Sequence, residues 1–365
     1  MSPRVALVTE VIAPYRVPVF NELDELLDGG LEVFFINESE GRRDWAVDRR
    51  QIRFSYQVLG GLEFSVPLRG DRQPVYLAPP LLPRLLRGGF DSVIVGGWNH
   101  LECYWALMWA RLRGGRMVLW SETPLLGAMP RRPLRGVLKR AVVRASDAYV
   151  VPGPSAGRYL SELGASSQAI HVAPNAVDVE FWSKRPADAK PRDPERPLLL
   201  YSGRLVRSKG VDIALSAFAR SRLAGSARLV VAGDGPERAR LERSAPPGVE
   251  FRGSTDARTL RRLYHEATLL LFPSLYDPWG LVLNEAACAD LAAVASDAAG
   301  ATRDLVHDGE NGLVVRAGEV ESLRAALDRV ADDPGLPLRL GASAGALRLT
   351  NSPAACARGL YEAIR

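Results

Sequence analysis

Lysine is scarce in this chain. It occurs only at positions 139, 184, 190 and 209, so arginine carries nearly all of the positive charge. Cysteine is scarcer still: Cys103, Cys288 and Cys356 are far apart and odd in number. That spacing gives neither a disulfide framework nor a metal-binding cluster, and it fits a reducing cytoplasm. No apolar run approaches the roughly 18 residues of a membrane-spanning helix. Met1-Ser2-Pro3-Arg4 leads straight into an apolar strand, so no signal peptide is expected. Nor is charge of one sign in large excess. A net charge of +5 on 365 residues makes no case for nucleic acid as a partner.

What is present is an ordinary globular composition, 47% hydrophobic and 24% charged, on a chain long enough for two domains. Strand-like and helix-like segments alternate, the pattern of a parallel sheet covered by helices. Val5–Thr9, Leu31–Ile36, Ser92–Val95, Met117–Trp120, Ala148–Val151 and Ile170–Val172 read as strands. Asn21–Leu27, Leu81–Leu86, Leu101–Leu112, Pro133–Arg144 and Ser155–Leu163 read as helices between them. Ser183 to Pro197 is charged, proline-rich and poor in large apolar residues, a linker composition. The alternation restarts at Leu198. A last helix, Pro353–Ile364, follows a break at Asn351-Ser352-Pro353 and is expected to cross back to the first domain. The expected organisation is a first domain over 1–182, a linker over 183–197, a second domain over 198–350 and a C-terminal helix over 351–365.

Two stretches of the second domain carry chemistry. In the first, Thr268–Phe272 reads as a buried strand, Pro273–Gly280 as a turn-rich acidic loop and Leu281 onward as a helix. Ligands of parallel α/β sheets bind at such strand ends. The first N–H groups of a helix lack intrahelical partners and favour a phosphate. Glu285 lies one turn in, and helical side chains lean toward the N-terminus, so its carboxylate points back at the same ligand as Asp277. In the second stretch, Ser202–Gly210, Gly203 and Gly210 permit close backbone approach, while Arg204 and Lys209 add the cations that a diphosphate needs. A solvated basic loop would read the same way by composition alone.

These stretches, together with Ala232-Gly233-Asp234-Gly235-Pro236 and Asp308-Gly309-Glu310-Asn311-Gly312-Leu313, resemble glycosyltransferase family 4. The resemblance covers the second domain almost completely. It implies the GT-B fold: α/β, two Rossmann-like doubly wound domains with an interdomain cleft. It also implies a retaining transfer of sugar from a nucleoside-diphosphate sugar, UDP- or GDP-linked, to an acceptor hydroxyl. No cofactor and no metal are expected, and no Asp-x-Asp pair of the metal-using transferases occurs. Arg204 and Lys209 would hold the diphosphate and stabilise the leaving group. Gly203, the N–H groups of Gly280 and Leu281, and Trp279 would line the donor. Asp277 would contact the transferred sugar, Glu285 the ribose diol and Arg252 the base. Asp277 and Glu285 stand at the two ends of the family's Glu-x7-Glu motif, with Asp one methylene shorter at the first. Trp279 replaces the usual Phe.

The first domain matches less tightly. The loop Glu10–Arg16 contains no glycine where many family members have a Gly-Gly pair, and Arg16 would supply charge there instead. His100 and Glu122 each follow a strand end and are the acceptor-side candidates, His100 also a catalytic one. Alternatives stay open: another GT-B enzyme such as a phosphorylase or sugar-nucleotide epimerase, or a nucleotide-sugar-binding subunit without activity. Residues 131–144 combine helically spaced apolar residues with six cations. Such a helix can lie on anionic lipid at the inner membrane face, although a core-facing helix with a solvated basic side gives the same pattern.

Overall fold

The apolar runs of the sequence become two all-parallel sheets. In the computed structural model, residues 2–38, 47–68, 71–98, 101–124 and 133–365 are described. The first sheet contains β1 (Val5–Thr9), β2 (Leu31–Phe35) and β3 (Ser55–Val58). A separate two-stranded sheet pairs β4 (Leu62–Leu68) with β5 (Asp71–Leu77). The first sheet continues with β6 (Ser92–Gly96), β7 (Arg116–Trp120), β8 (Ala148–Val151) and β9 (Ile170–Val172), in the order β3-β2-β1-β6-β7-β8-β9. The second consists of β10 (Leu198–Ser202), β11 (Arg228–Ala232), β12 (Val249–Gly253), β13 (Leu269–Phe272), β14 (Ala293–Ser296) and β15 (Leu313–Val315), in the order β12-β11-β10-β13-β14-β15. In both, chain order reverses direction beside the first strand: between β1 and β6 in one, between β10 and β13 in the other. Crevices at the strand C-termini open at such points.

Burial follows from this wiring. Parallel strands covered on both faces are apolar along their length, and β1 and β13 are buried at every residue. One face of the first sheet packs on the helices Leu81–Gly88, Glu102–Arg113, Pro133–Ala145 and Pro154–Leu163. The other packs on Val17–Leu26 and on the C-terminal helix Pro353–Ile364 through Phe20, Leu23, Cys356, Leu360 and Ala363. Helix Val17–Leu26 starts earlier than the sequence suggests, because Pro18 occupies its first turn, where the missing N–H costs nothing. The C-terminal helix starts on Ser352, whose hydroxyl accepts from the Ala355 N–H at 3.2 Å.

The chain divides into two compact units. The first draws on the chain up to Leu68, on Arg72–Asp178 and on Asn351–Arg365; the bulk of the second is Val179–Thr350. The division after Asp178 differs from the linker expected over 183–197. That segment is strapped to the second unit by arginines. Arg192 donates from Nη1 to the carbonyl of Asp290 (2.6 Å) and from Nη2 to those of Ala289 (2.7 Å) and Tyr264 (3.0 Å). Arg185 donates to the carbonyl of His265 at 3.1 Å. Tyr264 and His265 end the helix Ala257–Glu266, and Ala289 and Asp290 directly follow the helix Leu281–Cys288, so the arginines cover carbonyls at two helix C-termini. Burial lowers the Arg192 guanidinium to about 10, which leaves it protonated at neutral pH. Just before the strap, the ring of Trp182 packs edge-on against Tyr264 at 5.5 Å.

Candidate active site

Two loops leave the C-terminal ends of neighbouring strands β10 and β13 and are stitched together by backbone. After Ser202, the Gly203 N–H continues the ladder to the carbonyl of Ala232 at 3.0 Å. Here the chain touches the loop after β11. A Cβ on Gly233 would lie 1.8 Å from the Gly203 carbonyl oxygen, so only glycine fits. A short turn, Arg207–Lys209, follows. From it the Ser208 carbonyl accepts the N–H groups of Leu275 (2.8 Å) and Tyr276 (3.2 Å) on the second loop. Tyr201, at the end of β10, is buried, and its hydroxyl donates to the Arg204 carbonyl at 2.9 Å. Burial, and secondarily the charge of Asp277, pushes that phenol well up and keeps it protonated.

The stitched loops bring Lys209 and Asp277 together, 68 residues apart in sequence. Lys209 Nζ donates to Asp277 Oδ2 at 2.5 Å, with the side chains 24% and 15% exposed. The other oxygen, Oδ1, accepts the Trp279 N–H at 3.3 Å. Asp277 is also anchored through its backbone: its N–H donates to the Ala298 carbonyl at 3.1 Å, and its carbonyl accepts from Gly300 at 3.3 Å. The shorter acid is therefore a fixed member of the loop whose carboxylate faces the lysine.

Next comes the helix start. Gly280 has φ +108° and caps the helix Leu281–Cys288; a Cβ there would lie 2.6 Å from the Phe272 ring. Trp279 is 3% exposed, and its indole Nε1–H donates to Asn284 Oδ1 at 2.9 Å. The Phe expected at this place would need no acceptor. The Trp does, and Asn284 supplies it from the first turn of the helix that the loop feeds. Replacing Asn284 with leucine should lower stability by about 1–3 kcal/mol, the cost of an orphaned buried donor. In chemical denaturation, pairing the change with Trp279→Phe should recover much of that loss, and simple additivity of the two changes would count against the coupling.

One turn further, Glu285 accepts from the Tyr264 hydroxyl at 2.7 Å. Tyr264 is fully buried and also lies beside Ser202, the last residue of β10, so the pair sits at the same strand ends. Burial pushes the Glu285 carboxyl up to about 7, and the tyrosine bond pulls it only partly back.

Of the residues singled out by sequence, Gly203, Arg204, Lys209, Asp277, Trp279, Gly280, Leu281 and Glu285 are all carried on these two loops and the helix they lead into. Arg252 is not brought in. Its Nε bonds Glu250 at 2.6 Å, and that carboxylate also holds Arg228, the first residue of β11, at 2.7 Å. In the first unit, Arg16 donates from Nη2 to Glu122 Oε1 at 2.7 Å and stacks 4.3 Å over the Trp120 ring. Burial alone would lower the guanidinium, but the neighbouring Tyr15 and Glu122 outweigh it and hold it charged. His100 lies outside the described residues. The sequence reading missed Tyr264 and Asn284, which hold Glu285 and Trp279. Each is a buried polar residue on a helix, and no spacing rule distinguishes it from core.

Two family models match this chain in tandem: Glycosyltransferase Family 4 over residues 19–181 and Glycosyl transferases group 1 over residues 184–346. The chain belongs to glycosyltransferase family 4. Its family-4 sequence is 34% identical over 217 residues to the glycogen synthase of Mycobacterium tuberculosis, covering 58% of this chain and 51% of that protein. It is 32% identical over 163 residues to the alpha-D-kanosaminyltransferase of Streptomyces kanamyceticus, covering 42% and 41%. The chain thus spans about half the length of these curated relatives or less. Among solved structures, Anabaena HepE in complex with UDP superposes with a TM-score of 0.76 over 98% of each chain at 16% identity. The fold of this family-4 chain is accordingly GT-B, with two Rossmann-like parallel-sheet units.

Proposed function

We propose that this chain transfers a sugar, with retention of anomeric configuration, from a nucleoside-diphosphate sugar to a hydroxyl acceptor. The observation that carries the reading is the joining of the Arg204–Lys209 loop to the Asp277–Leu281 helix start at the switch point of the second sheet. Arg204 and Lys209 on the one loop and the helix N-terminus on the other are the groups that would neutralise a diphosphate there without a metal. UDP is the donor nucleotide favoured by the likeness to HepE, which was solved with UDP and with UDP-glucose.

In this reading the C1–O bond to the diphosphate breaks as negative charge builds on the leaving oxygen, and Arg204 and Lys209 stabilise that charge. Asp277, held by Lys209, faces the sugar hydroxyls, and Glu285 takes the ribose diol. Arg16 and Glu122, as a neutralised pair, belong to acceptor binding.

A panel of nucleotide sugars in a thermal-shift assay tests the donor half. A ligand at one hundred times its Kd should add about 2.7 kcal/mol and raise the melting temperature by a few degrees. No shift with any UDP or GDP sugar would remove the proposed donor. Release of nucleoside diphosphate only when an acceptor is added, with product anomers assigned by NMR, tests transfer and retention. Donor binding without turnover on any acceptor would favour a binding subunit.

A further inference from the structure

The helices Glu102–Arg113 and Pro133–Ala145 are neighbours on one face of the first sheet. Both bury their inner sides in the same core, through Cys103, Ala106 and Trp109 on one and Val142 and Val143 on the other. Their outer sides therefore face away from the sheet together. Those outer sides are not polar. Leu101 (45% exposed), Tyr104 (38%), Met108 (36%) and Leu112 (64%) recur every three or four residues, one stripe along the first helix. Val137 (59%) and Leu138 (46%) are exposed on the second, with Ala141 one turn on.

The exposed charges on these two helices have one sign. Arg111, Arg113 and Arg140 are exposed. The two helices carry a single acid, Glu102, which is fully buried and accepts the Ala78 N–H at 2.5 Å. The adjoining helix Leu81–Gly88 adds Arg87 and no acid, while Pro154–Leu163, on the other flank, carries one exposed charge of each sign, Arg158 and Glu162. Among the described residues, then, neither helix of the pair exposes a negative charge. Arg131 and Arg132 lie outside the described residues.

We propose that this two-helix face docks on an anionic lipid surface, lying in the headgroup layer with its apolar side chains inserted. An apolar stripe rimmed by arginines matches that occupant in both respects: the side chains enter the acyl boundary while the guanidiniums stay with the phosphates. A second copy of the chain is a poorer fit, because a two-fold contact would set the arginine rims against each other. Among the described residues no helix is long and apolar enough to cross a membrane, so the contact is with the surface.

Flotation of the full chain with vesicles tests this, using phosphatidylglycerol mixed into phosphatidylcholine against phosphatidylcholine alone. Recovery should be at least tenfold higher with the anionic vesicles and should fall in high salt. Leu112→Glu combined with Val137→Glu should abolish it with an unchanged melting temperature, since both positions are exposed. Should that pair fail to fold, Arg111→Glu with Arg140→Glu serves as a charge-only variant, and it should reduce recovery about tenfold. Equal recovery on both vesicle types, none on either, or undiminished recovery in the folded variants would overturn the proposal. So would a dimer in light scattering that the same variants dissociate in the absence of flotation.

Discussion

Replacing Lys209 with alanine should reduce turnover by about 10²–10³-fold, the usual consequence of deleting one preorganised group that meets developing charge. The ammonium has two tasks. It faces the position proposed for the diphosphate, and it holds Asp277 Oδ2. Deleting it therefore removes a cation and also leaves a carboxylate, 15% exposed, without its counter-charge. A repelling Asp277 should weaken donor binding as well as turnover. Asp277→Asn in the Lys209→Ala background separates the two effects: donor affinity should recover partly, while turnover stays low. Wild-type turnover in Lys209→Ala would reject the diphosphate assignment. Full activity in Asp277→Ala would remove Asp277 from the sugar site.

Donor affinity should rise with pH across neutrality. The Glu285 carboxyl is raised to about 7 by burial, so near pH 6 it is mostly neutral. As an anion it accepts from both hydroxyls of a ribose diol, whereas the neutral acid has less acceptor capacity. A donor that prefers the anion should bind up to about tenfold more tightly at pH 8 than at pH 6 and release a proton on binding near pH 7. The experiment requires an intact nucleotide sugar, whose diphosphate does not titrate in this range. Glu285→Gln should bind more weakly and show a flat profile; a flat profile in the wild type would exclude the ribose assignment. Stability should run the other way. A group whose folded-state value is raised loses its contribution as pH climbs from about 4.5 to about 7, so the unliganded protein should be more stable at the acid end of this window as far as Glu285 is concerned.

The second unit was the more legible in sequence. Its ligand loops sit where chain order reverses, and glycines required by close backbone approach mark them: Gly203 against Gly233, and Gly280 against Phe272. The sequence places Lys209 and Asp277 on two loops at strand ends, but their pairing appears only in the structure. The segment 183–197 reads by composition as a linker, but composition does not show that it is tied to the second unit. Its arginines cap helix carbonyls, and a carbonyl carries no residue identity that a sequence could reveal. Tyr264 and Asn284 were invisible for a related reason. A buried hydrogen bond specifies a partner by geometry, and neither residue lies at a helical spacing from its partner on the same helix that would advertise it. Arg252, given a base contact by the family resemblance, is ion-paired with Glu250 in this structure.

The C-terminal helix Pro353–Ile364 completes one face of the first sheet. The first unit is consequently interrupted in time as well as in sequence. During synthesis, β1 to β9 emerge long before the residues that cover Phe20, Val33 and Val150. All of Val179–Thr350 is made in the interval, and it can fold as a unit while the first waits with an apolar face unfinished. Closure of the first unit's core thus depends on residues that follow the whole second unit in the chain.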